Sequence, residues 1–122
     1  MMKKLSILIL LGMVCIAAIP GMAQKMVPYS FRFEQGADSL KERELKVLTQ
    51  VSYASAVSLR LYFTGTHLGE NSYLLLEGAD GAKQELHKQD LENWQYSSAY
   101  FNGNAVKVSL VAVTGEKNTV HI

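Results

Sequence analysis

Apolar and polar residues alternate with period two in short runs along most of this chain, and turn-forming residues separate the runs. An extended backbone sends successive side chains to opposite faces, so this pattern suits half-buried strands. The clearest run is 57–63. Val57, Leu59, Leu61 and Phe63 are expected to face a core, and Ser58, Arg60 and Tyr62 to face out. Tyr29, Phe31 and Phe33 alternate in the same way with Ser30 and Arg32, and 105–113 sets Val106, Val108, Leu110 and Ala112 on one face. Residues 72–77 are apolar on both faces through Tyr73, Leu74, Leu75 and Leu76, which predicts a central strand covered on both sides.

Turn chemistry supports the division. Residues 78–81 end in Asp80-Gly81, where glycine adopts positive φ at no steric cost, and a hairpin to a strand over 83–87 is expected. Residues 35–38, 64–71, 102–104 and 114–118 read as further turns or loops. Residues 40–51 pull two ways. Their Lys, Glu, Leu and Arg content favours helix, whereas Leu45, Val47, Thr49 and Val51 fall on one strand face. The spacing is followed here, giving a strand over 43–52. Residues 88–93 suit one helical turn or an irregular crossing. Residues 119–122 begin a strand at which the chain stops, as a piece of a longer protein would. The expected fold is all-β: an antiparallel β-sandwich, jelly-roll-like or immunoglobulin-like.

A segment ahead of this domain has a different character. Lys3 and Lys4 precede an apolar run over 5–19, Pro20 ends it, and Gly21 and Ala23 place small residues before Gln24. This is the pattern of a cleaved secretory signal peptide over 1–23. The run is shorter than the roughly 20 residues that cross a bilayer, and the residues before Cys15 make a poor lipobox. The expected product is one exported domain over 24–122. It contains no cysteine, so its core must supply stability without disulfides. Loss of Lys3 and Lys4 reduces the 12 basic residues to 10, against 11 acidic ones. The charges are scattered, with no basic stripe and no acidic tail, which argues against nucleic acid and anionic membranes as partners.

No catalytic constellation stands out. There is no Gly-x-Ser-x-Gly elbow, and His67, His87 and His121 lie in contexts typical of surface or rim residues. Asp90 and Glu92 are two apart, a weak basis for a glycosidase pair. Asp38, Asn71, Asp80, Asn102 and Asn104 carry oxygen ligands suited to calcium, but turns use the same residue types. No cofactor is expected. Candidate contact residues are the aromatics Trp94, Tyr96 and Tyr100, with Tyr62. Buried, they are core. Exposed and coplanar on one face, they are a platform for sugar rings. The period-two spacing of Trp94 and Tyr96 points to a common inward face.

One stretch carries a resemblance. It runs through 59–63, Gly69, Ser72-Tyr73-Leu74, Asp80-Gly81, Gln84-Glu85-Leu86 and Trp94, and then through 97–106 and 115–122. This stretch resembles a non-catalytic region lying before the peptidase domain in bacterial secreted trypsin-like serine proteases. The resemblance implies an accessory β-domain with a peptidase or other protein domain as partner, and no catalytic residue of its own. Three readings follow: an accessory or interaction domain with an exposed apolar patch or unpaired edge near the C-terminus, an extracellular carbohydrate-binding module, and a small hydrolase, which no residue pattern supports.

Overall fold

A computed structural model describes residues 26–38 and 42–122. The signal peptide expected over 1–23 lies outside the described residues. The strands are β1 (Arg32–Gln35), β2 (Glu44–Ser52), β3 (Ser58–Leu59), β4 (Tyr73–Gly78) and β5 (Lys83–His87). They are followed by helix α1 (Lys88–Asn93), then β6 (Phe101–Asn102), β7 (Ala105–Ala112) and β8 (Asn118–His121). Every strand pairing is antiparallel. One layer is a four-stranded sheet in the order β2-β7-β4-β5. The other is built from two short ladders, β1-β8 and β3-β6, joined by irregular segments. The fold is therefore the all-β antiparallel sandwich that the sequence predicts.

The inner face of the large sheet supplies most of the core. Val106, Val108, Leu110 and Ala112 of β7 lie beside Leu74 and Leu76 of β4 and Leu86 of β5, all buried. Leu61, Phe63, Leu68, Phe101 and Val120 from the second layer complete the cluster. Leu91 joins it from α1, which Asp90 caps by accepting the His87 backbone N–H at 2.9 Å. This acidic N3 side chain satisfies a donor that the helix itself leaves open. The β4–β5 hairpin forms as expected, with Glu77 paired to Lys83 and Gly81 at φ 91°. The C-terminal strand β8 is paired on both sides: with β1, and through an isolated bridge between His67 and Thr119. The unpaired edge anticipated there is absent among the described residues.

Three expectations change. The run 57–63 is not one continuous strand. Ser58–Leu59 pairs with Phe101–Asn102, Tyr62 bridges Ser97, and Val57 is 87 % exposed. Alternation still holds downstream, because Leu61 and Phe63 are buried while Tyr62 is not. In β2, a register shift between Val47 and Thr49 inserts Leu48 as an extra residue. A bulge of this kind moves the residues before it to the opposite face. Thr49 and Val51 therefore sit opposite the core residues Val108 and Val106, whereas Leu45 and Val47 turn outward, each 54 % exposed. Strand β4 is central within its sheet, yet its outer side chains Tyr73 and Leu75 remain half-buried.

Phe63 and Val57 have the same sequence signature and opposite surroundings. Phe63→Ala is expected to cost about 3–5 kcal/mol through the cavity it leaves. Val57→Ala should stay within about 0.5 kcal/mol of the parent. Urea unfolding of the purified protein measures both.

Candidate functional site

Arg60 and Tyr62 project outward because Leu61 and Phe63, their alternating neighbours, are anchored inward. The anchoring is backbone-deep. The Leu61 N–H donates to Ser98 Oγ at 2.9 Å, the Phe63 N–H to the Tyr96 carbonyl at 2.7 Å, and the Ser98 N–H to the Leu61 carbonyl at 2.8 Å. The Arg60 guanidinium lies across this seam. Its Nε donates to the Ser98 carbonyl at 2.9 Å, and one Nη to Ser97 Oγ at 2.8 Å. Ser97 Oγ in turn donates a hydrogen bond to the Trp94 carbonyl at 2.7 Å.

Two rings lie against the guanidinium. Its carbon is 5.7 Å from the Tyr62 ring centroid and 5.1 Å from that of Tyr100. Both contacts are within cation–π range. Tyr62 is 41 % exposed and Tyr100 51 %. The aromatic cluster is thus split. Tyr62 and Tyr100 share one surface with Arg60, Trp94 is exposed on the adjoining turn, and Tyr96 packs against the core. Trp94 and Tyr96 do not share the common inward face expected of them. The strand register fails because α1 ends at Asn93, and Gln95 and Tyr96 follow with positive φ of 55° and 59°. Two successive left-handed residues turn the backbone and aim Tyr96 alone at the core.

The other candidates are distributed. Asp90 caps α1, and Glu92 is exposed on the same helix. Asp80 accepts the Ala82 N–H within its own turn. His87 stacks on Tyr73 with centroids 4.5 Å apart, and its Nε2 lies 3.1 Å from Glu85. His67 is exposed and His121 half-buried. Among the described residues, no three His, Cys, Asp or Glu side chains converge as metal ligands would. A depression of about 230 Å³ at one end of the large sheet is lined by Gln50, Glu77, Gly78, Ala79, Ala105 and Lys107.

A second polar cluster binds the fold together, and of its members the sequence marks only Asn71 as a candidate ligand. The Glu116 carboxylate accepts from the Asn71 N–H at 3.0 Å, Asn71 Nδ2 at 3.1 Å, the Ser72 N–H at 2.9 Å and Ser72 Oγ at 2.7 Å. Ser72 Oγ also accepts from the Val113 N–H and Asn118 Nδ2. Asn118 Oδ1 in turn accepts the Gly69 N–H at 2.9 Å. A Cβ at Gly69 would run into the Glu116 side chain, so the glycine permits the close approach. These groups join the loop before β4 to the turn before β8, a structural task.

Comparison with protein-family models, curated proteins and solved structures gives no match. The functional reading therefore rests on the surfaces themselves.

Partial burial pushes the Glu116 carboxyl up, but the bonds from the Ser72 and Asn71 side chains and backbone outweigh it and hold the group below its ordinary 4.5. A carboxyl lowered on folding stabilises the fold above its unfolded value, and that contribution is lost as pH falls through the folded value. Acid unfolding followed by circular dichroism should show this loss below about pH 4.5, and Glu116→Gln should flatten that part of the profile. Gly69→Ala should destabilise through the same network. The two changes combined should therefore cost less than their sum in a double-mutant cycle.

Proposed function

We propose that this chain is an exported, non-catalytic interaction β-domain of the accessory kind found with secreted serine proteases. The observation that supports this reading is the outer face of the large sheet. Across adjacent strands, Leu45, Val111 and Tyr73 form one row, and Val47, Ser109 and Leu75 form the next. Val111 and Ser109 are buried and Tyr73 and Leu75 half-buried, so the exposed apolar side chains of these rows are Leu45 and Val47, each more than half exposed on the outward side of β2. Large apolar side chains set side by side in solvent offer a partner an apolar contact. The exposed pair lies on β2, and not near the C-terminus, where the sequence suggests a patch or an open edge. The partner that fits the resemblance is a peptidase domain presenting an apolar face of its own.

The test is co-expression with secreted trypsin-like peptidases from the same source, followed by size-exclusion chromatography. A stoichiometric complex is expected. Leu45→Glu with Val47→Glu should abolish it at little cost to folding, because both side chains already meet solvent. Failure of the unaltered protein to bind any of these peptidases overturns the reading.

A second reading, an extracellular carbohydrate-binding module, is favoured by a separate observation. Tyr62 and Tyr100 are both exposed on the surface organised by Arg60. Tyrosine rings of this kind present flat apolar faces with a polar tip, suited to contacts that are partly apolar and partly hydrogen-bonded.

A further inference from the structure

Among the described residues, no acid pairs with Arg60. The ion pairs among the described residues join Arg32 to Glu34, His87 to Glu85, Lys88 to Glu70 and Lys107 to Glu77. Arg60 bonds instead to a carbonyl and a hydroxyl, both neutral. Those bonds use two of the five N–H donors that a guanidinium carries. They also fix its plane, so the remaining donors are held in place without further ordering cost. A half-buried cation held by neutral acceptors and flanked by exposed rings is complementary to an anion that brings an apolar face with it.

We propose that Arg60, Tyr62 and Tyr100 form a binding site for an acidic pyranoside, with Arg60 receiving the carboxylate and the tyrosine rings receiving the C–H faces of the sugar. The inference rests on the carbohydrate reading of this surface and goes beyond it by naming the charge of the ligand. A carboxylate is the natural partner because guanidinium and carboxylate match as forks, and charge-assisted bonds are the stronger kind. A pyranose ring, which is flat and largely C–H on its faces, matches the tyrosines. An acidic peptide would supply the charge but not those faces. Neutral sugars would supply the faces but leave the guanidinium's spare donors without an ionic partner.

Titration calorimetry of the full chain against polygalacturonate and alginate, each beside its methyl ester, tests the proposal. Esterification keeps the sugar and removes the charge. Binding to at least one acidic polymer is expected, with affinity falling about ten-fold or more on esterification and falling also as salt is raised. Tyr100→Ala, at an exposed position, should weaken binding about five-fold. Arg60→Gln should reduce binding of the acidic polymer to that of its ester, with the melting curve reporting whether the seam it crosses still forms. Equal affinity for acid and ester overturns the acidic assignment and leaves the carbohydrate reading standing. No binding to any of the four polymers overturns both. Poly-glutamate binding as tightly as the uronans, with Tyr100→Ala without effect, overturns the sugar assignment in favour of a simple anion site. If Arg60→Gln fails to fold, the ester comparison and Tyr100→Ala still decide.

Discussion

The burial of Leu61 and Phe63 is the constraint on which the surface of this domain depends. Both side chains are in the core, and their backbone N–H groups are satisfied by Ser98 Oγ and the Tyr96 carbonyl. Once two residues of an extended segment are held inward, the residues between and beside them have one direction left. Arg60 and Tyr62 point outward for that reason, and Arg60 then fastens the same seam from outside through Ser97 and Ser98. The site and the fold are thus two faces of one short segment.

The polar cluster of Ser72, Glu116 and Asn118 acts where hydrophobic burial is least able to. The second layer consists of short ladders, which by themselves have few backbone bonds. Charge-assisted bonds into a partly buried carboxylate are stronger than neutral ones, and here they span loops more than 40 residues apart in sequence. The exposed ion pairs differ in kind. Pairs such as Lys88 with Glu70 are open to water and add little.

The domain presents two surfaces of different chemistry. On the outer face of the large sheet, Leu45 and Val47 are turned out by the bulge in β2 and meet solvent. The other surface, about Arg60, is small, cationic and aromatic. The two proposals therefore draw on different residues.

Much of this was legible in the chain. Period two along β7, the doubly apolar β4 and the Asp80-Gly81 turn fix the all-β class and the β4–β5 hairpin, because a strand's faces and a tight turn's φ are local properties. Four matters were decided only by the tertiary structure. The bulge at Leu48 reverses the face of Leu45 and Val47, and no local signal separates a bulged strand from a straight one. Val57 carries the same alternation as Phe63, but burial depends on what arrives opposite. The left-handed turn at Gln95 and Tyr96 divides the aromatics between core and surface. Glu116 becomes a latch, and Arg60 a cation held by a carbonyl and a hydroxyl, only because residues distant in sequence are brought beside them. Alternation and turn chemistry act between neighbours and can be read from the sequence. Compensation of a charge, or its absence, is a relation between segments, and the packed fold alone determines it.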